Sequence, residues 1–167
     1  MWYVLHTRTG SEKAVRDALR AQGFPALAPR ERRAVRKGGE WGLKDYSLFP
    51  GYVFVNLEYN ADNYYKVTAL SGVNRFLGTD SGAPSPLTYL EAEWIKSLGE
   101  PGGGPLEPTK VRLLEDGGVE ILSGVLQHFI GRTIRYDKRS RRATVELTIC
   151  RQPKKVTLSI EPVSEPV

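Results

Sequence analysis

Over the first hundred residues, short aromatic and β-branched runs alternate with amphipathic stretches. After that only short strand-like runs occur. Trp2-Tyr3-Val4-Leu5-His6 reads as a strand closed by Thr9-Gly10. Ser11 stands where a helix cap belongs. Ala14, Val15, Ala18 and Leu19 then share one face, with Arg16, Asp17 and Arg20 outside. Gly23 is placed to stop that helix. An extended segment from Phe24 to Val35 leads into the turn Arg36-Lys37-Gly38-Gly39, and a strand at 46–57 is built on Tyr52-Val53-Phe54-Val55. These two segments are expected to pair as a hairpin with a long tip. Asn60 caps a helix over 61–70, Gly72 ends it, and Val73 to Leu77 form another strand. Thr88 and Glu91 have the spacing of a capping box. Leu90, Trp94 and Leu98 follow at i, i+4 and i+8, with Ile95 beside them.

The resulting order, β-α-β-β-α-β-α, predicts an α+β chain. Its first six elements make a ferredoxin-like split βαβ unit, an antiparallel sheet with helices. Residues 99–109, GEPGGGPLEPT, hold three prolines and four glycines and read as a flexible linker. It divides the chain into an N-terminal domain, 1–98, and a tail domain, 110–167. The tail reads as five short strands: Val111–Leu114, Gly118–Leu122, Ile130–Tyr136, Ala143–Ile149 and Val156–Ile160. That number in so short a span predicts a small SH3-like β-barrel.

Charge changes the picture. The net charge is only +5, yet residues 132–155 hold nine basic residues against Asp137 and Glu146. Such a block is the electrostatic footprint of a polyanion partner. Arg132 and Arg135 fall on one strand, Lys138, Arg139, Arg141 and Arg142 around a hairpin tip, and Arg151, Lys154 and Lys155 around the next turn. Adjacent hairpins could bring them into one surface. Arginine suits it, because its planar fork pairs with phosphate and stacks on bases.

Other chemistry is sparse. One cysteine, Cys150, excludes an internal disulfide and any CxxC site. Two histidines, His6 and His128, leave little for a zinc site or for acid–base cleavage of RNA, although the latter defines an alternative enzyme reading. No cofactor motif, transmembrane stretch or signal peptide is legible, so the expectation is a cytoplasmic, monomeric protein that is not an enzyme and needs no cofactor. The run Phe49-Pro50-Gly51-Tyr52-Val53-Phe54-Val55 adds one more candidate. If Val53 and Val55 face the core, Tyr52 and Phe54 face the other way. With Trp2, Tyr3 or Tyr64 they would make an exposed aromatic patch for a protein partner. The alternative is that helices cover both faces.

In order and spacing these motifs resemble the NusG family of transcription elongation factors over nearly the whole chain. Trp2-Tyr3-Val4, the Phe49–Val55 strand, Gly72-Val73 with Phe76-Leu77-Gly78, and Pro86-Leu87 carry the N-terminal part. Gly118 to Arg132, with Gly124, Phe129 and Gly131, looks like a KOW motif. The resemblance implies an N-terminal domain that docks on the clamp helices of RNA polymerase. Tyr52 and Phe54 stand at the clamp-contacting aromatic positions, with Trp2 and Tyr64 as further candidates. Arg8 matches a position that contacts the non-template DNA strand in the paralogue RfaH, so that strand is a further candidate partner. Other DNA-contacting positions of RfaH match Ala14, Ala18 and Ala21, and its His-Thr-Thr stretch aligns with Asn63, Tyr64 and Tyr65.

The tail departs from housekeeping members. Their Gly-Pro-Phe is Gly124-Val125-Leu126 here, and their Phe-Gly pair aligns with Cys150 and Arg151. With the extra basic residues, this resembles the LoaP branch, antiterminators that bind an RNA hairpin in a nascent leader. Housekeeping NusG and a ribosome-associated RNA-binding KOW protein are the alternatives. The RfaH tail can become a helical hairpin. The alternating Thr144 to Ile149 predicts that this tail stays in strands.

Overall fold

The computed structural model describes residues 1–79, 82–99 and 104–163. Four strands form the first sheet: β1 Trp2–Thr7, β2 Ala26–Leu27, β5 Tyr52–Asn56 and β6 Val73–Phe76, in the order β2-β5-β1-β6. Every pairing is antiparallel. With α1 Glu12–Ala21 after β1 and α2 Ala61–Thr68 after β5, this is the expected ferredoxin-like arrangement. Pleating divides the sheet's side chains. Tyr3, Leu5, Val53 and Val55 pack with Val15 and Leu19 of α1 and Val67 of α2. Val4 and Phe54 point to the other side, where α3 Tyr89–Leu98 lies.

The expected long hairpin is instead divided. Segment 24–36 splits into β2 and β3 Arg30–Lys37, with Pro29 between them, and segment 46–57 splits between β4 Glu40–Ser47 and β5. β3 and β4 form a separate two-stranded hairpin, while β2 pairs with β5 in the main sheet. Pro50-Gly51 causes the second break, because Gly51 takes φ +83°, which a β-branched strand residue does not adopt. Both oxygens of the buried Glu12 accept from the Gly10 amide, and Oε1 also accepts from the Gly51 amide at 3.0 Å, which fixes the turn leading into Tyr52. The tip of β3–β4 is the foreseen Gly38-Gly39 turn, with φ +61° and +83° closing the Lys37↔Glu40 pair.

Local capping follows the sequence at two helices. Asn60 Oδ1 accepts from the Asn63 amide, and Thr88 and Glu91 make the reciprocal capping box. At α1, Ser11 makes no side-chain cap, and its Oγ accepts from Arg8 Nε instead. The buried positions of α1 are Glu12, Val15, Arg16 and Leu19, so Arg16 lies inside and Ala14 outside, the reverse of the expectation. Tertiary contacts rotated the buried stripe by one position. In α3 the buried face is Glu91, Ala92, Trp94, Ile95 and Leu98, and Leu90 is exposed.

The second sheet has five strands in the order β8-β7-β11-β10-β9 and curls into a half-barrel. They are β7 Thr109–Leu113, β8 Val119–Ser123, β9 Thr133–Asp137, β10 Arg142–Ile149 and β11 Gln152–Pro162. A 3₁₀ segment, Val125–Arg132, takes the first residues of the third expected strand. The tail is built of strands, as its alternation predicted. Of the expected flexible connector, residues 100–103 lie outside the described residues. Gly104–Pro108 lies against the protein: Leu106 is buried and bridges β3, donating to Arg30 O at 2.8 Å and accepting from the Arg32 amide at 2.7 Å. Among the described residues no helix is long and apolar enough to cross a membrane, and no group of three or more His, Cys, Asp or Glu residues could hold a metal ion.

Candidate functional site

The aromatic face of the first sheet is covered. Phe54 is fully buried and meets Phe49 edge-on at 5.3 Å. Trp2 and Tyr52 are half-buried against the same cluster, which runs through α3 into the core of the second sheet. The exposed patch expected at Tyr52 and Phe54 is therefore absent in this arrangement. The alternation was right, but α3 and the tail occupy the space in front of it. Tyr64 lies on the opposite side of the sheet, stacked on Phe76 at 5.9 Å, and does not join Trp2, Tyr52 and Phe54.

Basic residues of the tail hold it on this face. Lys154 Nζ sits 4.4 Å from the Tyr52 ring centroid, and the Arg132 guanidinium 4.3 Å from that of Trp94. The Arg151 amide donates to Glu91 Oε2 at a long 3.5 Å. Away from α3, Glu31 of β3 links the hairpin to the five-stranded sheet. It is 2% exposed, Oε2 accepts from the Ser159 amide at 2.9 Å, and Oε1 accepts from Arg33 Nε at 2.7 Å. Burial raises its pKa, outweighing the Ser159 amide, Arg33 and Arg142, which all lower it.

The basic block does not form one surface. The β9–β10 turn and the β10–β11 turn sit at opposite ends of β10, seven residue steps apart, or about 24 Å at the usual strand rise. Lys138, Arg139, Arg141 and Arg142 lie at one end, with Arg135 on β9 nearby. Arg132, Arg151 and Thr148 border one crevice at the other end, and Lys154 faces Tyr52. Lys155 is exposed opposite Glu146. Consecutive hairpin turns must point opposite ways along their shared strand, which the linear charge run does not reveal. Arg8 is exposed at the end of β1 and belongs to neither group.

The β3–β4 hairpin is expected from sequence as a pairing with a basic tip, and none of its residues is among the predicted site residues. It carries Arg33, Arg36, Lys37, Trp41, Lys44 and Tyr46. Arg33 stacks on Tyr46 at 4.7 Å, and Arg141 of the tail stacks on Trp41 at 3.9 Å. Six basic residues with a Trp and a Tyr between Arg30 and Tyr46 were the available signal. The candidates for other chemistry are dispersed. His6 lies on β1 within 3.0 Å of the Asn74 side-chain amide, and His128 is exposed in the 3₁₀ segment. Burial, then Glu91, pushes the Cys150 thiol pKa up, away from the reactive thiolate.

Cys150 and Arg151 form the two-residue β10–β11 loop with φ of +51° and +64°. Both central residues are left-handed, as in the turn that favours Asn-Gly. Arg151→Gly is expected to relieve about 1 kcal/mol of strain, offset in part by glycine's greater freedom when unfolded. The urea midpoint should rise slightly. A fall would mean that the Arg151 side chain contributes more than its backbone costs.

A ferredoxin-like sheet with an inserted hairpin, joined to a curled five-stranded tail, is the arrangement of a NusG-type transcription factor. A family model described as "Transcription termination factor nusG" matches residues 1–96. The chain belongs to the NusG family. It is 30% identical to the "Transcription termination/antitermination protein NusG" of Bacillus subtilis over 160 residues, 87% of this chain and 88% of that protein. To the Campylobacter jejuni protein of the same name it is 29% identical over 145 residues, covering 81% and 80%. A solved structure described as "Domain interaction in Thermotoga maritima NusG" aligns with a TM-score of 0.55 at 27% identity, covering 95% of this chain and 93% of that one.

Proposed function

We propose that this chain is a processive antiterminator of the LoaP type. The N-terminal sheet docks on the clamp helices of RNA polymerase through the side that carries Tyr52, and the tail binds a hairpin in the nascent transcript. The observation that carries the reading is the exposed basic β9–β10 turn on a NusG-family chain. Two features of the tail favour a specialised member over the housekeeping type. Leu126 is fully buried, so the Gly124-Val125-Leu126 turn offers a partner no ring. Cys150-Arg151 adds a cation where housekeeping members carry Phe-Gly.

The tail covers the Tyr52 side, so clamp binding requires it to move away. What holds it there includes Arg132 on Trp94 and Lys154 on Tyr52, each a contact of about 0.5–2 kcal/mol.

In-vitro transcription through an intrinsic terminator tests the proposal, with templates that carry or lack a leader hairpin. Read-through is expected to rise only with the hairpin, and Tyr52→Ala should abolish the rise. No change with either template sinks the reading, whereas a hairpin-independent rise favours the housekeeping type.

A further inference from the structure

The β3–β4 hairpin and the β9–β10 turn face each other across a cleft of about 510 Å³. It is lined by Val35, Arg36 and Trp41 from the first unit and by Asp137, Arg139, Ser140 and Arg142 from the tail. We propose that this cleft is a composite site for an unpaired RNA segment, in which cations from both units hold phosphates and Trp41 offers a ring for a base. The inference rests on the nascent-RNA reading and deepens it, because it assigns half of the site to the N-terminal unit.

Charge is the first argument. Arg36, Arg139 and Arg142 border the cleft, Arg141 stacks on Trp41, and burial, then the nearby Arg33, lowers the Arg142 pKa. Lys37 and Lys44 extend the positive character along the hairpin. Four carboxylates oppose this group: Asp45 lies 3.5 Å from Arg32, Glu40 stands opposite Lys37 at the hairpin tip, and Glu31 and Asp137 are held by hydrogen bonds. Glu31 is buried on Ser159 and Arg33, and Asp137 Oδ1 accepts from the Arg139 and Ser140 amides at 3.1 Å each. Excess positive charge converging on a cleft attracts a polyanion.

Shape is the second argument. A duplex of A-form RNA presents its phosphates on a broad surface and hides its base edges. A cleft with a half-exposed indole and arginines on both walls suits splayed, single-stranded nucleotides, which stack on aromatic and guanidinium planes. The Arg141–Trp41 stack already shows that the indole accepts a planar cation. The walls meet only while the two units are docked. The cleft therefore captures the transcript while the units are docked, and when the Tyr52 side passes to the clamp the tail keeps its own contacts, Arg139 and Arg142, on the RNA.

The test is fluorescence anisotropy of the full chain with a labelled hairpin RNA that has an unpaired uridine loop, across a salt series. Trp41→Ala is expected to weaken binding about tenfold, the scale of one lost base stack. Trp41→Phe, which keeps a ring, should retain most of the affinity. Arg36→Ala should flatten the plot of log affinity against log salt by about one unit. Thermal melts should stay near wild type, since neither residue is in the core. If the wild type binds and Arg139→Ala weakens it, while Trp41→Ala and Arg36→Ala bind as wild type, the composite site is overturned and the RNA reading stands. If polyglutamate displaces the RNA as readily as unlabelled RNA does, or the wild type does not bind, both fall.

Discussion

Phe54→Ala is expected to unfold the N-terminal sheet far more readily than it alters any surface. Phe54 is fully exposed in no part of its ring: it lies within the central strand pair, opposite Val4, against Phe49 and the cluster of Trp94, Ile95 and Leu98. Truncating a buried phenylalanine removes its transfer free energy and leaves a cavity that its neighbours fill only in part. The cost is about 3–5 kcal/mol, a large fraction of the stability of a domain this size. Tyr52 is only half-buried, so Tyr52→Ala should cost less and act mainly on contacts with the tail. Urea denaturation followed by circular dichroism separates the two. A Phe54→Ala protein as stable as wild type would show that the core has no need of this ring. Loss of partner binding on mutating Phe54 is consequently no evidence of direct contact unless the fold is shown to survive.

The second large effect is expected at Glu31. Its carboxylate accepts from the Ser159 amide and from Arg33, and hydrogen bonds to a charged group contribute about 1.5–3 kcal/mol each. Arg33 stands on β3 with Glu31, so only the Ser159 bond crosses to the tail. Glu31→Ala is therefore expected to weaken docking of the tail by about 2 kcal/mol, seen as a larger radius in small-angle scattering and faster exchange of the Ser159 amide.

The pH dependence has a definite sign. Burial raises the Glu31 pKa in the docked form, against the lowering influences of Ser159, Arg33 and Arg142. The docked form thus holds the proton more tightly than the undocked one. This contribution is fully present below the ordinary carboxylate value of about 4.3 and is lost as pH rises through the raised value. Glu31→Gln should retain an acceptor for the Ser159 amide and remove this part of the slope. Docking that tightens between mildly acidic and neutral pH, and does so less in Glu31→Gln, would contradict the argument.

Much of the local structure was legible in the sequence because local chemistry carries it. The Thr88–Glu91 box, the Asn60 cap and the Gly38-Gly39 turn depend on groups within a few residues of one another. The tail strands follow from β-branched alternation, which needs no knowledge of the partner strand. The order of elements pointed to the ferredoxin-like sheet, since connection lengths and handedness leave few alternatives. The alternation around Tyr52 correctly separated Val53 and Val55 from Phe54, because side-chain direction in a strand has a period of two.

What covers each face was decided only by the tertiary structure. Phe54 is buried by α3 rather than presented to a partner, and Arg16 lies inside α1 while Ala14 lies outside. The block of nine basic residues is divided because its turns fall at opposite ends of β10, and one of them meets the β3–β4 hairpin, a pairing the sequence predicted without its contact to the tail. Glu31 and Ser159 meet across 128 positions. No periodicity encodes such a contact, because it depends on how two separately folded surfaces fit, and that fit is summed over many weak, non-local interactions.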